Sequence, residues 1–300
     1  MSRESALSDE NLAALATAGD AHALATLLRR HERWVFNLTL YMLQVRADAQ
    51  DATQEILVKV ATRLDTFRAA SALKTWIYRI AVRHVLDTRR SSAEQAVNSF
   101  ECFADYLETT PLQDADSQSP EWALLVAEAQ STCTMGMLLC FDRSQRLVFL
   151  LGELLDLNDS VAAVVLDISR DNFRQRLARA REQLAAFMNA RCGLMNPQNP
   201  CRCARKTAAF VRDGVVDPLR LQFVDAHVVR ARASAPERTQ QLKVLQTTTL
   251  QRLRDVYARH EPPGVAQEVA RWLTTSEVRG TLELDESYSG TAHYERTESQ

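Results

Sequence analysis

The sequence predicts an all-α fold: two small helical modules joined by an acidic linker, followed by a mostly helical C-terminal extension. Apolar residues recur at steps of three and four, as amphipathic helices require, whereas alternating strand patterns are scarce. Charge is segregated in blocks. Arg63 to Arg90 holds seven Lys and Arg against two acids, and Arg170 to Arg191 holds six Arg against two acids. Between them, Ser91 to Asp142 contains nine acids and no Lys or Arg. The net charge of −2 conceals this pattern, and 300 residues suffice for two or three compact cores. The expected boundaries are 1–92 for the first module, 93–130 for the linker, 131–191 for the second module and 192–300 for a cysteine-rich junction with the extension.

The first module begins with Leu24, Leu27, Leu28, Val35, Leu38 and Met42 at helical spacing. Ala49, Ala52, Ile56, Val60 and Leu64 continue the pattern, so residues up to about 90 predict an antiparallel bundle of three or four helices. The run Asp48-Ala-Gln-Asp-Ala-Thr-Gln-Glu55 sets Asp48, Asp51 and Glu55 on one face opposite the apolar stripe, with Gln54 beside them. Such a face is either solvated or a docking surface for a basic partner.

A basic aromatic helix follows. Leu73, Trp76, Ile77, Ile80 and His84 are expected to form its buried stripe, with Lys74, Tyr78, Arg79 and Arg83 to the side. Interleaved cations and rings suit single-stranded or melting DNA, because the cations track phosphates and the rings stack on unpaired bases. The alternative makes Trp76 a core anchor. Residues 94–120 hold Thr109-Thr-Pro111, Ser117 and Ser119-Pro120 without sustained periodicity, and read as a spacer kept off DNA by its own charge.

In the second module, Asp142 to Leu151 is amphipathic, Ser160 to Leu166 is a second helix, Asp167-Ile-Ser169 is a turn and a long helix starts at Arg170. That is helix-turn-helix spacing: Ala162 or Ala163 permits close approach, Ile168 plugs the turn and Ser169 is a natural N-cap. Phe173, Leu177, Ala180 and Leu184 face inward. Arg170, Asn172, Arg174, Gln175, Arg176 and Arg179 are left for DNA, early residues for base edges and later arginines for phosphates. A generic basic surface helix is the plainer alternative.

Together these segments resemble the extracytoplasmic-function (ECF) group of bacterial RNA polymerase sigma factors over about residues 8 to 191. Asp48 to Glu55 is similar to the region 2 helix that docks on the polymerase clamp. Leu73-Lys-Thr-Trp-Ile-Tyr-Arg-Ile-Ala81 with Asp87-Thr-Arg-Arg90 resembles the segment that melts and reads the minus-ten element. Arg143 to Phe149, Ile168-Ser169 and Arg174 to Arg181 resemble region 4, which reads the minus-thirty-five element. The resemblance implies a non-enzymatic subunit of core RNA polymerase that recognises and opens promoter DNA. It makes Asp48, Asp51, Gln54 and Glu55 the expected polymerase contacts, and allows an anti-sigma protein as a further partner. It also implies that the acidic linker threads the polymerase cleft. Two departures stand out: Asp167 replaces the usual turn Gly, and Val82-Arg83-His84 stands where Arg-Asn and a small or apolar residue are common.

The extension lies outside that plan. Cys192-Gly-Leu-Met-Asn-Pro-Gln-Asn-Pro-Cys-Arg-Cys203 packs three thiols into twelve residues around two Asn-Pro turns. Cys192, Cys201 and Cys203 are candidate zinc ligands, needing a fourth from His227, His260 or elsewhere; the alternative is buried or incidental thiols. Cys102, Cys133 and Cys140 show no ligand spacing and are expected in core or linker. Thr239 to Arg259 and Val265 to Leu273 are helical candidates. No signal pattern or membrane segment is expected, since the apolar run Leu147 to Leu155 is short and holds Glu153, so the expected location is cytoplasmic. Two rival readings are a free-standing helix-turn-helix regulator and an interaction protein acting through its extension.

Overall fold

A computed structural model describes residues 7–68, 71–113, 119–224 and 262–273. Among these residues all regular secondary structure is helical and there is no strand. The first module comprises α1 (Asp9–Thr17), α2 (Ala21–Leu43), α3 (Arg46–Thr62) and α4 (Leu73–Asp87). Ser8 and Asp20 start the first two helices by accepting backbone N–H groups that would otherwise lack an intrahelical partner. Leu27, Leu28, Val35, Leu38 and Met42 of α2 are buried, as are Ala49, Ala52, Ile56 and Val60 of α3. A buried polar link ties the two helices: the Thr39 hydroxyl lies 3.0 Å from Ala49 O and 2.9 Å from the Thr53 hydroxyl.

The expected spacer is structured. Its described residues, 94–113 and 119–120, contribute to α5 (Ser92–Ala96), α6 (Phe100–Thr109) and the start of α7 (Pro120–Gly136). Ser91, Ser99 and Ser119 cap these helices. Phe103 and Leu107 enter the core, and Phe100 and Phe103 pack against Phe187 with ring centroids 5.1 and 6.0 Å apart. Counting acids placed this stretch in solvent; its aromatic residues instead bury it against a helix some eighty residues further on.

The second module continues through a 3₁₀ turn (Met137–Cys140), α8 (Arg143–Phe149), a π-helical segment (Leu150–Leu154), α9 (Asp159–Leu166) and α10 (Arg170–Arg191). Asp142, Asn158 and Ser169 are the N-caps. Gly152 lets the π segment approach α10, because a Cβ there would lie 2.6 Å from Leu177 Cδ2. The extension adds α11 (Cys203–Arg212), which packs on α7, and α12 (Val265–Leu273), which packs on α2 and α3. Buried Glu32 of α2 accepts the Ala266 N–H at 3.3 Å, capping the α12 N-terminus where a carboxylate is favoured. Thr239 to Arg259, His227 and His260 lie outside the described residues.

Pro120–Cys140 has the length and apolarity of a membrane span, unlike the shorter run weighed from sequence. Here it is a core helix. Leu124, Ala129 and Met135 are buried, and the Glu128 carboxylate inside it accepts the backbone N–H groups of Gln222 and Phe223 at 2.6 and 3.1 Å.

Candidate nucleic-acid interface

Helix α3 presents Asp48, Asp51, Gln54 and Glu55 on its exposed side. The three acids line a groove of about 570 Å³ whose far wall is His84, Asp87, Thr88, Arg89 and Arg90. The apolar stripe opposite explains the outward acids: burying Ala49, Ala52 and Ile56 leaves this arc in solvent.

Beside it lies a second groove of about 530 Å³, lined by Lys59, Arg63, Trp76, Arg79, Ile80, Arg83, His84 and Asp87. Five of these eight are cations or histidine, and Trp76 and Ile80 give the groove an apolar floor. Lys74 is exposed at the start of α4, with its Nζ 5.8 Å from the Tyr78 ring centroid. His84 separates the two grooves: its Nδ1 lies 2.6 Å from Lys59 Nζ and its Nε2 3.8 Å from Glu55 Oε2. Burial, reinforced by the Lys59 charge, holds the His84 pKa below its ordinary value despite Glu55 and Asp87. The neutral ring therefore accepts from the Lys59 ammonium through Nδ1.

One expected nucleic-acid contact is corrected. Tyr78 is buried, 2 % exposed, with its ring centroid 4.0 Å from that of Trp34 on α2. It cannot stack on a base without leaving the core. The buried arc of α4 centres on Ile77, Ala81, Val85 and Tyr78, rotated by about one residue, or roughly 100°, from the expected stripe. That rotation carries Trp76 and Ile80 to the half-buried edge, where Trp76 packs on Phe67 at 5.8 Å and keeps one side on the basic groove.

The helix-turn-helix pattern has a geometric basis. Asp167 adopts φ 55°, ψ 46°, the left-handed conformation that Asp tolerates better than most residues. Ala162 and Ala163 are buried, Ile168 packs on the core, and the Ser169 side chain accepts the Asn172 N–H. Phe173, Leu177, Ala180 and Leu184 face inward. Arg170, Arg174, Gln175 and Arg179 are exposed, with Asn172 and Arg176 half-exposed. Arg170 and Arg174 both ion-pair with Asp159 of α9, and Arg176 donates to the Ser144 hydroxyl at 3.1 Å. Slight burial raises the Asp159 carboxyl, but the two arginines outweigh it and hold the pKa below its ordinary value.

Sequence reasoning missed the junction between the modules. Glu94 of α5 is 5 % exposed and receives both arginines of α8: Arg143 Nη2 at 2.6 Å and Arg146 Nη1 at 3.0 Å. Arg143 also donates to Val85 O and Thr88 O, closing the C-terminus of α4 at 3.0 and 2.5 Å. Arg146 donates to Met42 O, Leu138 O and Phe141 O at 2.6, 2.9 and 3.2 Å. Burial alone would raise the Glu94 pKa; the bonds from Arg143 and Ser91 and the Arg146 charge turn the shift downward.

The cysteines divide by neighbourhood. Cys192, Cys201 and Cys203 are half-buried at the root of the extension, Cys102 and Cys133 are half-buried on α6 and α7, and Cys140 is buried in the 3₁₀ turn. Among the described residues, no three His, Cys, Asp or Glu side chains close to metal-binding distance.

The sigma-70 region 2 family model matches residues 27–95, the segment holding both grooves. ECF RNA polymerase sigma factor SigM of Mycobacterium tuberculosis is 27% identical over 181 residues, covering 60% of this chain and 85% of the relative. RNA polymerase sigma-H factor of Pseudomonas aeruginosa is 28% identical over 182 residues, 59% of this chain and 91% of its own length. ECF RNA polymerase sigma-E factor of Escherichia coli K12 is 28% identical over 182 residues, 59% of this chain and 93% of its own length. Nearly whole relatives thus match about three fifths of the chain. A region 2 segment, a helix-turn-helix after it and nearly whole relatives of one kind agree: over about three fifths of its length the chain is similar to the ECF RNA polymerase sigma factors.

Proposed function

We propose that the chain docks on core RNA polymerase through Asp48, Asp51, Gln54 and Glu55, and directs promoter recognition and strand opening from the cytoplasm. The adjoining basic groove takes the displaced strand near the minus-ten element, with Trp76 supplying the stacking face and Lys74, Arg79 and Arg83 the phosphate contacts. Helix α10 reads the minus-thirty-five element through Arg170, Asn172, Arg174, Gln175, Arg176 and Arg179. The polymerase supplies the chemistry.

The observation that carries this reading is the exposed acidic edge of α3, formed by Asp48, Asp51 and Glu55, beside a predominantly basic groove, both within the region 2 match. A free-standing helix-turn-helix regulator would have no use for an exposed acidic face beside a tryptophan-floored basic groove. Pull-down on core polymerase provides the test. Asp51→Arg with Glu55→Arg should abolish assembly while changing folding stability by no more than about 0.5 kcal/mol, because both side chains are exposed. Normal assembly by the folded double variant would refute the docking assignment.

A further inference from the structure

Two of the arginines assigned to promoter reading are held by one carboxylate. Asp159 stands in the first turn of α9, directly after the N-cap Asn158, where a helix N-terminus favours an acidic side chain. Helix α10 packs on α9 and brings Arg170 and Arg174 to it; one helical turn separates them, so both side chains leave α10 on the same flank. Arg170 Nη2 lies 3.2 Å from Asp159 Oδ1 and 3.3 Å from Oδ2. Arg174 donates Nε–H to Oδ2 at 2.5 Å, and its Nη2 pairs with the same oxygen. The Ser160 hydroxyl adds a contact of 3.4 Å to Oδ1.

The three groups are layered. The Asp159 side chain is 23 % exposed, against 55 % for Arg170 and 57 % for Arg174, so the carboxylate lies beneath two guanidinium groups that project past it. Arg174 keeps one edge open. A guanidinium presents its N–H donors in a planar fork, and Asp159 takes the side edge made by Nε and the near hydrogen of Nη2. The outer edge is Nη1 with the far hydrogen of Nη2. It has no acceptor among the described residues, because Nη1 lies 3.8 Å from Asp171 Oδ1, beyond hydrogen-bond range. Two parallel N–H bonds from such an edge fit O6 and N7 of guanine in the major groove.

Ion pairs this exposed contribute little to folding, so the effect of Asp159 lies elsewhere. A long side chain already fixed in its binding rotamer loses less entropy when it meets a base. Asp159 also cancels one of the two positive charges, which weakens the sequence-blind attraction to phosphate.

We propose that Asp159 is a specificity-determining positioning residue, which holds Arg174 with its outer edge toward a guanine of the minus-thirty-five element and suppresses binding to other duplexes. The proposal rests on the reading of α10 as the helix that enters the major groove. Asp159 itself touches no base; it acts through the arginine above it. Sequence reasoning passed over it, since an acid eleven residues before a basic helix looks like part of a solvated surface.

The test uses the full-length chain assembled with core polymerase. Binding is measured across a range of salt to a promoter duplex, to a panel in which each base pair of the minus-thirty-five element is changed in turn, and to a non-promoter duplex. Asp159→Asn keeps the size of the side chain, removes its charge and leaves the Asn158 cap in place. It should lose about tenfold of the preference for guanine at one base pair, the size of one bidentate contact. Non-promoter binding should tighten at the same time, with a salt slope steeper by about one unit. A merely structural residue would not give these opposite signs, because a loosened helix-turn-helix weakens both kinds of binding. Asp159→Glu keeps the carboxylate and should restore most of the preference. Arg174→Ala should lose the same preference, and adding it to Asp159→Asn should cost little further at that base pair. If Arg174→Ala changes selectivity and Asp159→Asn does not, the positioning role is wrong while α10 still reads DNA. If neither changes it, the placement of α10 in the groove fails as well. Loss of promoter and non-promoter binding together in Asp159→Asn, with a lower melting temperature, would make Asp159 a structural residue and overturn the proposal.

Discussion

Replacing Glu94 by Ala should be among the most damaging single changes in the first 190 residues, although sequence alone places it in an acidic spacer. The Arg146 side chain is 3 % exposed and that of Arg143 12 % exposed, and Glu94 supplies the carboxylate to both. In Glu94→Ala the guanidinium groups keep their carbonyl acceptors, so hydrogen bonding is largely retained while the compensating charge is lost. Removing one partner of a buried pair costs about 3 to 5 kcal/mol. With a urea dependence of about 3 kcal/mol per molar, the unfolding midpoint should fall by roughly 1 to 2 M. Glu94→Gln keeps shape and acceptor but not charge, and should fall between. The pH dependence has a definite sign. Because the folded pKa of Glu94 is depressed, its stabilisation is fully present above the ordinary carboxylate value of about 4.3 and is lost as pH falls through the folded value. The gap between wild type and Glu94→Gln should therefore close on acidification. A loss below about 1 kcal/mol for Glu94→Ala near pH 7 would refute the reasoning, since that is how an exposed ion pair behaves.

The two rings of α4 should separate cleanly. Tyr78→Ala should cost about 3 to 5 kcal/mol of stability through the cavity left against Trp34, whereas Trp76→Ala should cost less and mainly impair strand opening, read by permanganate footprinting; equal effects on both readouts would remove the distinction. Ala at both Arg174 and Arg176 should either relax selectivity at the minus-thirty-five element by about 1 to 3 kcal/mol at a base pair, or lower the salt slope of binding by about one unit per lost phosphate contact. Unchanged selectivity and slope would displace α10 from the DNA. Asp167→Gly should raise stability by up to about 1 kcal/mol, because Gly adopts the positive φ of this turn without the cost an L side chain bears, and Asp167→Val should lower it; a thermal melt that ranks them otherwise would count against the turn geometry.

Where information was local, the sequence was a sufficient guide. Asp142 and Ser169 announce helix starts by capping chemistry, and Phe173, Leu177, Ala180 and Leu184 announce an inward face by their period. The exposed acids of α3 follow from the same rule. What stayed illegible depends on partners far along the chain. Tyr78 is buried because Trp34 meets it from α2, a contact that no window around α4 contains. Glu94 reads as one acid among nine until Arg143 and Arg146 arrive from 49 and 52 residues away. Cooperation between distant residues leaves no periodic trace.

The clamp on Glu94 also sets a distance. Helix α4 touches α9 of the helix-turn-helix, so the two candidate reading surfaces belong to one compact body. Promoter elements centred roughly 25 base pairs apart are separated by about 85 Å along B-form DNA, at about 3.4 Å per base pair. A folded body of the 223 described residues has a radius of gyration of only about 17 Å. If the basic groove and α10 read the two elements as proposed, the arrangement with Glu94 engaged cannot hold both at once, and only molecules in which the modules have parted would span them. Each 1.4 kcal/mol that the junction contributes lowers that fraction about tenfold, and the apparent affinity for the two-part promoter with it. On the same reading, core polymerase holding the modules apart would offset that difference, and the ion pairs on Glu94 would weaken DNA binding in its absence.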